Sequence, residues 1–170
     1  MGFKDKLQQH RDQTSQQATD LALNRAASEA EKTVKLNAFI GRLDPLVKSV
    51  MEKFVTEATD AKYSAHQHFW KEEWRCWWYF AFVPTPNEEP DTKTTFGNRN
   101  QVSAILRLNS DGMITLEWHP PSSEIQLLSD VERNRELSID DLSEQVIEKW
   151  LEDFVARMLE LREAQDKARY

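Results

Sequence analysis

The sequence has little of several residue types that would tie it to common functional classes. Its 170 residues include one cysteine, which excludes an internal disulfide framework and fits a reducing compartment. Its four glycines leave little material for a phosphate-cradling loop. No apolar run reaches the roughly 18 residues of a membrane span, and the polar N-terminus lacks the apolar stretch of a signal peptide. We therefore expect a cytoplasmic protein that has no membrane partner.

Basic residues are also in short supply. The net charge is −7, and residues 131–170 carry eleven acidic side chains against seven basic ones. Nucleic-acid affinity depends mainly on Lys and Arg side chains that neutralise phosphates, and no basic stripe is present. We therefore expect no nucleic-acid partner.

Aromatic residues, in contrast, are concentrated in one short block. Eight of the seventeen lie between positions 69 and 82. If residues 74–83 are extended, side chains alternate between the two faces of a strand. Trp74, Cys76, Trp78, Phe80 and Phe82 then share one face, and Trp77 and Tyr79 lie on the other. Because each buried ring removes about 150–250 Å² from water, both faces should need a cover: the chain's own helices, a second copy, or a ligand.

The N-terminal part predicts two helices. Residues 1–17 are polar and rich in glutamine, which favours an N-terminal arm that frays. Gly41 interrupts the following pattern, and Asp44 with Pro45 is typical of an N-cap followed by proline at the first helical position. A single kinked helix is the alternative. A row of small side chains recurs at every fourth position and would allow close helix packing: Thr14, Ala18, Ala22, Ala26, Ala30, Val34 and Ala38.

The rest of the chain predicts an antiparallel sheet and a final helix, which makes residues 1–170 a single α+β domain. About four strands are expected, at residues 74–83, 101–108, 113–119 and 124–128, with a long acidic, proline-rich loop at 84–98. The short connections favour a meander. Ser138, followed by Asp140 and Asp141, predicts the start of a long C-terminal helix that packs on the sheet.

Motifs that carry chemistry are missing from the sequence. It contains no H-E-x-x-H, C-x-x-C, Walker A or G-x-S-x-G pattern. Cys76 lies among tryptophans, where a thiol behaves as a small buried hydrophobe. His66 and His68 share one side of a strand and His119 could approach them, but this makes only a weak metal candidate because zinc needs three or four ligands. We expect no cofactor, and the sequence favours a non-enzymatic role.

Two hypotheses for function follow. The first is a non-enzymatic intracellular protein-interaction domain, an adaptor, regulator or chaperone-like binder, that forms a homo-oligomer, because Trp and Tyr are enriched at interfaces. The alternative is a small-ligand binding domain or enzyme with an aromatic pocket between sheet and helix, the 84–98 loop as its lid, and Tyr79, Arg107, Glu117 and His119 as polar groups. Among the tryptophans, Trp70, Trp77 and Trp118 are expected to be partly exposed. The candidate interface or pocket residues are Trp70, Trp74, Trp77, Tyr79, Arg107, Trp118 and His119.

Overall fold

A computed structural model describes residues 2–90, 100–120, 128–129 and 134–168. Its five strands form one antiparallel sheet of order β1-β2-β3-β4-β5, in which each strand pairs with the next one along the chain. The predicted α+β class, antiparallel meander and C-terminal helix are confirmed. The elements are α1 (Phe3–Asp60), β1 (Ala65–Lys71), β2 (Arg75–Phe82), β3 (Val102–Asn109), β4 (Met113–His119), β5 (Asn134–Ser138), a 3₁₀ turn (Ile139–Asp141) and α2 (Glu144–Ala168).

The N-terminal region is one helix of 58 residues, so the prediction of two helices was wrong. Pro45 lies inside α1, where it cannot donate to the carbonyl of Gly41. Both residues are exposed, so water can hydrate that carbonyl. Leu43 and Val47, on either side of Pro45, are buried in the core. Packing of this apolar stripe outweighs the interior-proline cost of about 3 kcal/mol.

The first half of α1 projects away from the rest of the molecule as an arm. Residues 2–28 are all exposed, and the buried stripe of α1 begins only at Leu36. At a rise of 1.5 Å per residue the arm is about 40 Å long. The row of small side chains from Thr14 to Ala38 is exposed throughout, so no described element packs closely against it. Within the described ranges, neither helix is long and apolar enough to cross a membrane.

The sheet has five strands, whereas about four were predicted. No separate strand was predicted at β1, because the connecting residues Glu72–Trp74 include none of the Gly, Pro, Asn or Asp residues that mark a turn between two strands. The last strand, β5, is polar, and only Leu137 in it is buried. The predicted strand at 124–128 lies outside the described residues except for Leu128, and the 84–98 loop is described only as far as residue 90.

The start of the last helix also differs from the prediction. Ser138 ends β5, and Asp140 and Asp141 belong to the 3₁₀ turn. The helix α2 begins six residues later, at Glu144. There the hydroxyl of Ser143 accepts a hydrogen bond from the Val146 backbone N–H at 3.3 Å, which satisfies one of the free donors at a helix start.

The core lies on one face of the sheet, here called the inner face, which α1 and α2 both cover. The predicted grouping of Trp78 and Phe80 on one face is confirmed, since they are 1% and 0% exposed. Phe154 of α2 contacts the sheet with its ring centroid 6.3 Å from that of Phe80. Trp118 also lies here, 8% exposed and 5.8 Å from the Phe154 ring. The expectation that Trp118 is partly exposed was therefore wrong, because its register with Ala104 directs it inward.

Candidate functional site: a groove on the outer face of the sheet

The opposite, outer face of the sheet carries a groove that neither described helix covers. The register aligns Trp70, Trp77 and Arg107 in one row across β1, β2 and β3. A neighbouring row runs through His68, Tyr79, Ile105 and Glu117. Side chains of alternate residues point to the same face of a strand, so both rows stand on the outer face. They enclose a concavity of about 340 Å³, the outer groove, lined by His68, Trp70, Glu72, Trp77, Tyr79, Ile105, Arg107, Glu117 and His119.

One side of the outer groove is aromatic. Trp70 is 44% exposed, whereas Trp77 is half-buried and Tyr79 is buried. The guanidinium of Arg75 lies 5.0 Å from the centre of the Trp77 ring, a cation–π contact. Arg75 also pairs with Glu72 at 3.0 Å, so the turn between β1 and β2 holds this stack in place. The result is a supported indole surface next to an exposed one.

The other side of the groove is polar and centred on Glu117. Its carboxylate accepts from Arg107 Nη2 at 2.7 Å and lies 3.1 Å from His119 Nε2. The Glu117 side chain is only 12% exposed. Within the described part of the chain, the buried Nε of Arg107 has no acceptor. An unpaired buried donor of this kind costs about 1–3 kcal/mol.

Burial sets the charge state of two further groups on this face. Desolvation raises the pKa of the Tyr79 phenol, although a hydrogen bond with Ser103 opposes the shift. Desolvation, followed by the charge of nearby His68, lowers the pKa of His66. The Tyr79 hydroxyl and the His66 imidazole are therefore neutral at pH 7, and can take part in hydrogen bonds without bringing a full charge into the groove.

The structure brings five of the seven candidate interface residues together in the outer groove. Trp74 lies outside it, 43% exposed at the turn between β1 and β2, and Trp118 lies in the core on the inner face. Sequence reasoning missed Ile105 and Glu72. The alternation of β3 was the available signal for Ile105, whereas Glu72 needed the position of the turn. The five residues within the groove are Trp70, Trp77, Tyr79, Arg107 and His119.

The three weak metal candidates do not converge. His66 lies on β1 and His119 on β4, in the same row, with two strands between them. Three inter-strand steps of about 4.8 Å separate their backbones by about 14 Å. Among the described residues, no group of three or more His, Cys, Asp or Glu side chains is arranged to hold a metal ion.

Cys76 is placed where a thiol is unreactive. It is fully buried on the inner face, and burial raises its pKa to about 12, with a smaller contribution from the Asp44 carboxylate. The thiol is therefore protonated at neutral pH and has no access to solvent. Both properties oppose nucleophilic chemistry, which uses an accessible thiolate.

A second concavity, here called the α2 cavity, lies between α2 and the inner face. Trp118 lines it, and the buried indole Nε1 of this residue has no acceptor in the part of the chain that the structure describes. Lys149 at the rim pairs with Asp153 at 2.6 Å. The cavity measures about 480 Å³ and is lined by Leu116, Trp118, Arg135, Gln145, Val146, Lys149, Trp150 and Asp153.

Comparisons with protein-family models, with curated proteins and with solved structures found no match to this chain. The geometry of the two concavities and of the sheet is therefore the basis for assigning a function.

Proposed function

We propose that this chain is a non-enzymatic, cytoplasmic protein-interaction domain of the adaptor, regulator or chaperone-like kind, which binds a short segment of a partner protein in the outer groove. The observation that carries the proposal is the outer face itself. It combines an exposed Trp70 with an ion-paired Glu117 whose side chain is only 12% exposed, and neither α1 nor α2 covers it. Partly exposed tryptophan beside Arg is the composition typical of binding hot spots.

The groove defines the chemistry of its occupant. Trp70 and Trp77 would hold an aromatic or long aliphatic side chain by stacking and apolar contact. The Arg107 side chain is 35% exposed, so its guanidinium can donate to a backbone carbonyl oxygen next to that side chain. The Glu117 carboxylate is already paired with Arg107 and lies next to His119, and its negative charge would repel a second acidic group beside it. A partner segment with one bulky apolar residue followed by an acceptor fits these requirements.

The test uses peptides, since the partner is unidentified. A random peptide library displayed on phage is selected on the immobilised full chain, and the enriched peptides are measured by isothermal titration calorimetry. Trp70→Ala should weaken binding at least about tenfold, as expected for loss of an interface tryptophan. Trp74→Ala is a matched control, because Trp74 is 43% exposed against 44% for Trp70 and lies outside the groove.

A second variant tests whether peptides bind in the groove or only along β1. Arg107→Gln removes the guanidinium from β3, two strands away from that edge, and should weaken peptides that carry the acceptor oxygen. Equal losses for Trp70→Ala and Trp74→Ala, or no effect of Arg107→Gln, would contradict binding in the outer groove.

A specific observation also favours the alternative hypothesis, a small ligand held between sheet and helix. Trp118, whose buried N–H has no acceptor among the described residues, lines the α2 cavity together with Lys149 and Arg135. This composition suits an aromatic anion that accepts from the indole. Anilinonaphthalene sulfonate is a direct probe: binding there should quench tryptophan fluorescence by energy transfer and weaken in Lys149→Ala. Unchanged quenching in that variant would remove the α2 cavity as the site.

A further inference from the structure

Among the described residues, the first strand of the sheet, β1, has one edge that pairs with no other strand. In the part of the chain that the structure describes, it pairs only with β2, and none of its seven residues is buried. Strand edges are usually protected by proline, by charged side chains or by shortness. β1 has no proline, and its one fixed charge, Lys71, is bonded to Asn37 of α1 at 2.6 Å. The opposite edge, β5, is five residues long and carries Arg135 and Glu136.

The hydrogen-bond pattern identifies the backbone groups that β1 leaves free. Val83 N–H donates to the Ser64 carbonyl, and Glu72 N–H donates to the Arg75 carbonyl, both at 2.9 Å. Antiparallel ladders alternate, so the even-numbered residues of β1 bond to β2 and the odd-numbered ones point away from the sheet. Four residues therefore offer an N–H and a carbonyl outward: Ala65, Gln67, Phe69 and Lys71.

From this edge we infer that two copies of the chain pair through β1, antiparallel, around a two-fold axis at His68. His68 is the midpoint of Ala65–Lys71, so this register alone pairs all seven residues with their counterparts. Each outward residue then meets another outward residue: Gln67 faces Phe69, and Ala65 faces Lys71. Every free N–H gains a carbonyl, which is the usual basis of strand addition. A closed isologous pair results rather than an open chain of copies.

The remaining contacts in this register are compatible with pairing. No two like fixed charges meet, because Lys71 faces Ala65. On the outer face Trp70 lies beside His66 of the second copy. The helix α1 runs antiparallel to β1, with Asn37 bonded to Lys71 and Lys48 over the Phe69 ring. The two-fold axis therefore directs the two helical arms toward opposite ends of the dimer.

The dimer is held by the backbone edge of β1 and the proposed peptide site by side chains on the outer face. Because His68 and Trp70 belong to both, self-association is measured without peptide, so that either proposal can fail without the other. Charged substitutions at position 68 test the dimer. In the proposed register the two copies of His68 lie directly opposite each other as a non-hydrogen-bonded pair, the arrangement in which opposed side chains are closest. His68 is exposed, so substitutions should leave the protomer folded. His68→Glu and His68→Lys should each be monomeric, and an equimolar mixture should form the heterodimer. Native mass spectrometry and sedimentation velocity give the readout, with His10→Glu on the exposed arm as the control that remains dimeric.

A second variant tests the backbone directly. Gln67→Pro removes an outward N–H without touching the ladder to β2, and should weaken the dimer about tenfold or more compared with Gln67→Ala. Far-UV circular dichroism verifies that both variants are folded. Dimers of His68→Glu, a mixture that stays monomeric, equal affinities for the two Gln67 variants, or a monomeric wild type at all concentrations would each overturn pairing through β1.

Discussion

The most informative perturbation concerns Asp44, because the sequence and the structure give it different roles. The sequence pattern suggests an N-cap before Pro45, whereas the structure places Asp44 inside α1. There its carboxylate Oδ1 accepts from Trp78 Nε1 at 2.8 Å. Trp78 is 1% exposed, so its N–H has no access to water if this acceptor is removed.

The expected cost of Asp44→Ala follows from that burial. An orphaned buried donor costs about 1–3 kcal/mol. The ion pair of Asp44 with Lys48 adds little, since Lys48 is 49% exposed and exposed helical pairs contribute about 0.3–0.5 kcal/mol. We therefore expect Asp44→Ala to lower the free energy of unfolding by about 2 kcal/mol. Asp44→Asn keeps an acceptor oxygen and should lose less.

A double-mutant cycle separates the two roles of Asp44. Urea unfolding followed by far-UV circular dichroism gives the free energy of unfolding for the single and double variants. In a Trp78→Phe background no indole N–H remains, so Asp44→Ala should then cost less than about 0.5 kcal/mol. A helix cap would cost the same in both backgrounds. Equal costs would refute the role assigned here, and Lys48→Met serves as the control for the ion pair.

Three further outcomes are expected in the same assay. Phe154→Ala should cost about 3–5 kcal/mol, because the fully buried ring packs edge-on against Phe80 and Phe82; a loss below 1 kcal/mol would contradict the core described. Pro45→Ala should raise stability by about 1–2 kcal/mol, since the new N–H can donate to Gly41 in an exposed turn of α1; a loss would mean that the proline is favourable there. Burial raises the pKa of Cys76 from 9.0 to about 12, so the folded state binds this proton more tightly than the unfolded chain. Stability should therefore be unaffected by the thiol below about pH 9 and fall by up to about 4 kcal/mol as the pH rises toward 12, whereas Cys76→Val should lack this component.

The periodic parts of the fold could be predicted from sequence. Strands β3 and β4 alternate apolar and polar residues on either side of Asn109–Gly112, and Gly112 has the positive φ of 84° that its turn needs. The apolar stripe of α2 was likewise visible. These elements were predictable because most apolar residues of each lie on the face that packs in the core and the other face carries mostly polar residues, which leaves a period in the sequence.

The elements that were missed lack such a period. In β5, Leu137 is the only buried residue, so nothing distinguishes this strand from a polar loop. The boundary between β1 and β2 was obscured because the turn at Glu72–Trp74 has no turn-forming residue. The continuity of α1 through Pro45 is a tertiary effect, since the buried stripe from Leu36 to Phe54 belongs to the core that α1 shares with the sheet and α2. Local propensity carries no information about that contact.

The candidate site was only partly predictable, for a similar reason. Trp70, Trp77 and Arg107 stand in one row because three strands are in register, and register depends on the turns between them. Sequence alternation gives the face of each strand but not its alignment with the next. Trp118 illustrates this limit of the sequence pattern. Its strand was predicted correctly, but its pairing with Ala104 places the ring in the core and not at the surface.

The structure leaves a smaller aromatic surface for association than the aromatic block at residues 69–82 suggested. The sequence implied that both faces of β2 need a cover, but α1 and α2 shelter only the inner one. The outer row tolerates water in part because its rings are supported: Arg75 covers Trp77, and Tyr79 is buried among its neighbours. Trp70, which is 44% exposed, lies on β1, and the outward edge of β1 pairs with no strand among the described residues. Self-association is therefore expected at the β1 edge of the sheet, where the partly exposed Trp70 ring and the outward backbone groups lie together, and not across the whole outer face.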